Sequence, residues 1–598
     1  MQPIAAVTQL GFLCDAPKRV VVDAAALPGG AAETFEVQDL GLADAEALGE
    51  WESWKAVFRG RLSRHRGPMG DHLVGDFTEI RRPGLYRVML PGAAGWSHPF
   101  VVSDGAFARL PGMLLDFVHA QRCGAFEDGE RGPCHLDDGV RSDTGEPVDA
   151  AGGWHDAGDL RKWMVTTPLP VLGCLAIGGR LAFRRDHWHE KHFEDDALSE
   201  AAWGVRWVLK MQDPATGLFW EDVGGGGEGR AVPGTRWWVD NHAGCVADNA
   251  GNRFTDNRKA SGDERTVRVQ YNPIAQYVAV ALLADAVERF HAAAPALARQ
   301  SRDSALACWR AMEAHSGDAF HRWTSVLSWR LLAALRLHDW GVVPEDAVTA
   351  LVKRLLTLQA RRGFFWMDAD RRDPYRGIVH AAQPAIALCS FIERDFEHLM
   401  VDRAREALER LWDGYVAPLA AANPYGIVPY GLYAEPRTAA AGDVYHEFAP
   451  GLWYRFFMPA HAPERVNHGL AGHWTSWAHA LGMMGRVLER RDFRDAAFDQ
   501  LAWITGANPL GTSMISGVGV RTAAPYSRFA GSLPGGCMVG PRGTAEDTAW
   551  LDTEGRLAWN SGEYWMAPLA STLMALAELL PPGIPPASRR LGVPAVPA

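Results

Sequence analysis

The sequence predicts a multi-domain protein. An immunoglobulin-like β-sandwich is expected over residues 1–105, a mainly α (α/α)6 barrel over 106–582, and a Pro-rich tail over 583–598. Three observations carry this expectation. With 598 residues, the chain has room for one small and one large domain. Its first hundred residues hold short runs of β-branched or alternating character, whereas from about residue 109 the apolar spacing becomes helical. About a dozen helical stretches alternate with long Gly-, Pro- and aromatic-rich loops, with no short fixed repeat of an open solenoid.

The strands come first. RVVVDAAAL (19–27), TFEVQDL (34–40), WKAVFRGRL (54–62), HLVGDFTEI (72–80) and GLYRVML (84–90) are separated by Gly, Pro, Asp and Ala-Glu turns. Short strands at this spacing point to a small sandwich ending near VVSDGAF. The helices follow. LPGMLLDFVHAQ (110–121), PIAQYVAVALLADAVERFHAAA (273–294), SVLSWRLLAALRLH (325–338) and MAPLASTLMALAELL (566–580) repeat apolar residues at i, i+3, i+4 and i+7, as do similar runs between them. The tail PPGIPPASRRLGVPAVPA reads as extended chain.

Composition narrows the function. A net charge of −11 repels phosphate backbones, so neither nucleic acid nor an anionic membrane is expected as a partner. No apolar run reaches the roughly 18–20 residues of a membrane span. The N-terminus lacks a basic n-region followed by an apolar h-region, which predicts a cytoplasmic protein. Eight sparse cysteines are expected as free thiols. Tryptophan, at 24 residues, is over-represented. Such rings fill large cores, and they also stack on the apolar faces of sugars.

Two constellations carry chemistry. In GGWHDAGDLRKW (152–163), Asp156 and Asp159 stand three apart before an apolar helical run. They fit an acidic helix start, or a carboxylate pair that holds and activates a water. Trp154 beside them is a candidate sugar-stacking ring. In LDTEGRLAWNSGEYWMAPLASTLMALA (551–577), Glu563 opens an apolar helix among Trp559, Tyr564 and Trp565. It fits a helix-start glutamate, or a general acid whose pKa is raised by apolar surroundings. Glycoside hydrolysis needs two such carboxyl roles.

On these residues the chain resembles glycoside hydrolase family 9. GGWHDAGD is similar to that family's GGWxDAGD segment, GANPLGTSMISGVGVR (506–521) to its glycine-rich segment, and GEYWMAPLASTLMALA to its C-terminal acid segment. The resemblance implies an inverting β-glycosidase with Asp159 as base, Asp156 holding the water and Glu563 as acid. It also implies β-1,4-linked glucose as the substrate, as a cello-oligosaccharide or soluble β-glucan. Two departures concern the cleaved sugar. PYSR (525–528) places Ser527 where the family has a sugar-binding His, leaving Tyr526 and Arg528 as substrate-binding candidates. Gly562, not Asn, precedes the acid, although Asn560 lies nearby.

Cys123, Cys134, His135 and His155 fall within one short stretch and form a complete tetrahedral zinc set, although not at zinc-finger spacing. From spacing alone, scattered core residues are the alternative; the resemblance implies a structural zinc at this place. Asp137 and Asp138 read as solvated loop residues, with metal or sugar contacts as the alternative, and no calcium loop of the DxDxDG type is present to support a calcium ion. RGFFWMDADRRDPYRGIVHAAQP (362–384) offers Trp366 and His380 as further substrate contacts, with ordinary packing as the alternative. His468, His473 and His479 read as a loop-and-helix face, and FEDDALSE (193–200) as a solvated helix start. The rival functions are an exo-β-glucosaminidase on chitosan oligosaccharides and a non-catalytic carbohydrate-binding protein. The intact Asp156, Asp159 and Glu563 argue against the second.

Overall fold

In a computed structural model of the chain, residues 4–580 are described except 28–32, 41–53, 92–94, 126–132, 159, 182–187, 225–256, 263, 395, 397, 435–441, 462–467, 526–532 and 554–558. The expected tail, Asp159, Tyr526, Ser527 and Arg528 therefore lie outside the described residues.

Among the described residues, eight strands open the chain: β1 (Ala5–Ala6), β2 (Arg19–Asp23), β3 (Thr34–Asp39), β4 (Lys55–Gly67), β5 (Gly70–Asp76), β6 (Gly84–Leu90), β7 (Gly95–Trp96) and β8 (Phe100–Val102). Period-two burial marks them, most clearly in β6, where every second residue is buried. Hydrogen bonds trace one connected sheet in the order β1-β2-β5-β4-β3-β6-β7, with β8 also on β6. The long β4 joins its halves: Lys55–Arg61 pair with β3 and Leu62–Gly67 with β5. The sheet curls around Val20, Val22, Phe35, Val37, Phe77, Val88 and Phe100. The strand-rich expectation is met, but by a single curled sheet and not by two hydrogen-bonded sheets, because β4 runs past Leu62 from one half into the other.

After Val102 the chain turns helical. The helices are α1 (Leu110–Ala120), α2 (Leu169–Leu181), α3 (Trp188–Lys210), α4 (Pro273–Phe290), α5 (Pro295–Ala314), α6 (Thr324–Asp339), α7 (Glu345–Thr357), α8 (Gln383–Ile392), α9 (His398–Leu411), α10 (Ala417–Ala421), α11 (Ala471–Val487), α12 (Arg491–Ile504), α13 (Trp559–Gly562) and α14 (Met566–Leu579). Six close a ring, each packing on the next: α2, α4, α6, α8, α11, α14 and back to α2. Outside them lie α3 on α2, α5 on α4, α7 on α6, α9 on α8, α12 on α11 and α1 beside α14. This is the (α/α)6 barrel.

The sequence explains which helix goes where. Every residue of α8 is buried, a helix apolar on all sides and fit only for the inner ring. In α7 the buried residues Val348, Val352 and Leu355 form one stripe, the pattern of an outer helix. Each fully buried leucine of the ring, such as Leu573 on α14, contributes roughly 1.5–3 kcal/mol. Asn272 caps α4 by accepting from the N–H groups of Ile274 and Ala275, and Pro273 fills its first turn.

Connections from inner to outer helices are short, as in 291–294, 340–344 and 488–490. Those from outer to inner helices are long, as in 121–168, 211–272, 358–382, 412–470 and 505–565. The long loops therefore gather at one mouth, where the inner helices begin. None of the described helices is long and apolar enough to cross a membrane.

The curled sheet docks on one of these loops through Gln9. Its Oε1 accepts from the N–H groups of Val520 and Arg521, at 2.9 and 2.8 Å, and its Nε2 donates to Gly511 O at 2.9 Å. Gly519 (φ 93°) leaves room for it: a Cβ there would stand 2.5 Å from Gln9 Cβ. The Arg19–Asp499 pair at 3.1 Å adds a second tie. Gln9→Ala removes three hydrogen bonds from a part-buried seam. It is expected to cost about 1–3 kcal/mol, read as a lower urea midpoint with an unchanged far-UV spectrum.

Candidate active site

The mouth is built where the loop before α2 meets the segment before α14. Residues 563–565 are extended, with Trp565 at φ −145° and ψ 132°. Alternation follows: Tyr564 is buried, its ring on Phe117 at 4.9 Å and its hydroxyl accepting from Leu533 N–H at 2.7 Å. Glu563 and Trp565 are half-buried on the opposite face, toward the mouth. The segment is pinned by Val539 N–H to Glu563 O and by Trp565 N–H to Cys537 O, at 2.9 and 2.8 Å.

Asp156 comes to this segment from 409 positions away. Its backbone O accepts from Met566 N–H at 2.9 Å, and Ala157 bridges to Trp565. Its side chain is buried, with Oδ2 accepting from the Trp565 indole at 3.1 Å and Oδ1 from the Thr167 hydroxyl at 3.1 Å. Burial pushes the Asp156 carboxyl up to about 6, against the opposing pull of Thr166, Thr167, Trp565 and Arg161. Two motifs that sequence could only list separately thus meet in one place.

The Asp156 loop rests on a buried polar platform. Cys123, Cys134, His135 and His155 are all buried, and their ligand atoms lie within 4.8 Å of one another. Cys123 Sγ is 3.7 Å from His135 Nδ1, and Cys134 Sγ is 3.7 Å from His155 Nε2. Bonds of zinc length in a tetrahedron require about 3.3–3.8 Å between ligand atoms, so the set fits a metal of that kind. Burial raises the Cys123 thiol, but the Cys134 hydrogen bond and nearby Lys162, His155 and His135 outweigh it and hold the thiol well below its usual range. The Cys134 thiol is pushed well up in turn, by the same hydrogen bond and by burial, so the pair favours one thiolate before any metal binds.

Below the cluster, Asp138 is fully buried between Lys162 Nζ at 2.8 Å and Arg265 Nε at 2.8 Å. This corrects the expectation of a solvated loop residue: two buried cations require a buried anion. Glu200, in the run expected as a solvated helix start, is also buried. It accepts from the Trp154 indole at 3.1 Å, pairs with Arg122 at 2.6 Å and meets His119 Nδ1 at 2.8 Å.

Trp154 itself is fully buried, packed by Gly204 and Val171. It braces the loop from inside and does not offer a face to a sugar, because its indole N–H is spent on Glu200 within the core. Gly153, at φ 71°, makes the bend possible; a Cβ there would lie 2.7 Å from the Trp207 ring. Trp366 and His380 are half-buried on the loop before α8. Burial pushes His380 down to about 4, and its ring meets Trp329 edge-on at 5.4 Å. Gly472 places this loop beside the acid segment: a Cβ on it would lie 3.0 Å from Ile378 O and 3.7 Å from the Trp565 ring. Tyr425, Tyr430 and Tyr433 of the next loop are buried packing residues.

Sequence reasoning missed Thr167 and read His468 only as part of a loop-and-helix face. The ring of His468 lies 5.1 Å from that of Trp565 and its Nδ1 donates to Gly469 O at 2.9 Å. Its position just before α11, at the same mouth as Glu563, was the signal available.

Residues 107–338 match the family model Glycosyl hydrolase family 9. Over 180 residues the chain is 29% identical to a cellodextrinase of Butyrivibrio fibrisolvens, covering 28% of this chain and 29% of that protein. In that comparison the chain spans less than a third of its relative's length. Two solved structures share the whole fold. A Bacteroides ovatus GH9 protein superposes with a TM-score of 0.68 at 18% identity, covering 96% of this chain and 98% of that one. A Zn-binding triple mutant of GH family 9 endoglucanase J30 gives 0.67 at 19% identity, covering 96% of this chain and 100% of that one. At such identity these structures speak for the fold, and the family match runs through the Asp156 loop that the fold holds at the barrel mouth. Residues 107–338 are thus similar to glycoside hydrolase family 9, and the chain as a whole shares the fold of these solved structures.

Proposed function

We propose that the protein is an inverting glycoside hydrolase that cuts β-1,4-glucosidic bonds in cello-oligosaccharides or soluble β-glucan. The observation that carries this reading is the joining of the Asp156 loop to the Glu563–Trp565 segment, which assembles two carboxyl groups at one mouth. The matched cellodextrinase supports the sugar class.

In this reading Glu563 protonates the glycosidic oxygen as the bond from the anomeric carbon to that oxygen breaks. A water held by Asp156 attacks the anomeric carbon from the opposite face and gives its proton to Asp159. Inverting sites leave room for that water, with acid and base roughly 6.5–9.5 Å apart. Trp366 and His380 are assigned as sugar contacts, and the PYSR residues Tyr526 and Arg528 as contacts around the cleaved ring.

Glu563→Gln removes the acid and is expected to lower kcat on cellotetraose by roughly 10²–10⁴-fold. Proton NMR of fresh product is expected to show the α-anomer. A β-anomer product contradicts inversion, and release of glucosamine alone from chitosan oligomers contradicts the glucan assignment.

We further infer that Cys123, Cys134, His135 and His155 hold a structural zinc. Support comes from the donor set, its spacing and burial, and from the zinc-binding variant of a fold relative. Four protein ligands leave no open position for substrate, so the metal's contribution is to tie Cys123, Cys134 and His135 to His155, next to Asp156. Emission spectrometry is expected to find one zinc per chain. Cys134→Ala is expected to lose the metal and lower the melting midpoint by several degrees, with the chelator-treated wild type matching it.

A further inference from the structure

We propose that Trp565 is a positioning residue for the hydrolytic step, fixing the Asp156 carboxylate through its indole N–H and so fixing the attacking water. The inference rests on the glycosidase reading above.

The Asp156 carboxylate accepts from the Thr167 hydroxyl on Oδ1 and from the Trp565 indole on Oδ2, and the Thr166 hydroxyl adds to the same pull. Nearby Arg161 is engaged elsewhere, with Nη2 on both oxygens of Asp222 at 3.1 Å. The orientation of the carboxylate therefore depends on donors that do not move. Thr167 is held by accepting from Trp163 N–H at 2.8 Å. Trp565 is held more firmly. Its backbone is bonded to Cys537, its neighbour Met566 is bonded to Asp156 O, and His468 lies against its ring.

His468 and the backbone near Gly472 crowd the indole. Its function is thus the directed N–H bond, not a stacking face for sugar. The placement also explains why a large ring follows the acid by two residues. The alternation that faces Glu563 into the mouth also faces Trp565 there, so one short strand presents the acid and orients the carboxylate that holds the water.

The test uses the full-length zinc-loaded enzyme and two substrates. Cellotetraose needs a proton from Glu563 for its leaving group. β-Cellobiosyl fluoride does not: water attacks the anomeric carbon, fluoride leaves, and the water's proton goes to the base. Trp565→Phe keeps an aromatic ring and removes the donor. A second variant carries 3-benzothienylalanine at 565, which keeps the ring shape and replaces N–H by sulfur.

Both variants are expected to lower kcat roughly 10- to 100-fold on both substrates, with KM within about twofold of wild type. Glu563→Gln should instead recover on the fluoride. An unchanged kcat in the isostere overturns the proposal. So does a rise in KM alone, which would make Trp565 a sugar contact, or a loss that disappears on the fluoride, which would make it a partner of Glu563. Wild-type enzyme inactive on both substrates overturns the glycosidase reading and this inference with it. Active wild type with unaffected variants overturns the inference alone.

Discussion

Asp156 touches the far end of the chain twice, through its carbonyl on Met566 and through its carboxylate on Trp565. The two contacts close the barrel as well as the site. Residue 156 lies on the loop that leads into the first inner helix, α2, and residue 565 just before the last, α14, and these two helices pack on each other to complete the ring. The loops that carry the carboxyl groups are therefore joined at the point where the inner ring closes. Any displacement of one helix against the other is felt at the carboxylate.

Such a seam needs a loop that holds its shape without secondary structure. Three devices supply it. The Cys and His residues meet in one buried knot around His155. Asp138 neutralises Lys162 and Arg265 inside the protein, and Lys162 also donates to the carbonyls of Ala150 and Gly152 at 2.8 and 3.0 Å. Glu200 reaches up from α3 to take Trp154 and Arg122. Each device buries charge that is costly alone and stable only with its partners, so breaking any one pair leaves an uncompensated buried charge in the loop.

Much of this was legible in the sequence. The change from period two to a helical period separated sheet from barrel, and all-round apolar runs such as 383–392 marked inner helices. The paired aspartates, the distant glutamate and the Cys and His set were visible as residue types at suggestive spacings. Contacts between distant segments were not. Nothing local says that Trp154 points inward, since its burial depends on Gly204 and Glu200 of another helix. Asp138 looked like a loop acid because its cations stand at 162 and 265. The curled sheet differed from a two-sheet sandwich because β4 continues to Gly67, past the point where its alternating pattern fades.

The central claim is that Asp156 and Glu563 face one scissile bond from a shared mouth. A crystal structure of Glu563→Gln soaked with cellotetraose tests it most directly. The account predicts a glycosidic oxygen within hydrogen-bond reach of the glutamine side chain, with an ordered water on Asp156 at the opposite face of the anomeric carbon. A sugar chain seated away from residue 563, or an anomeric carbon with no path to a water on Asp156, would contradict it.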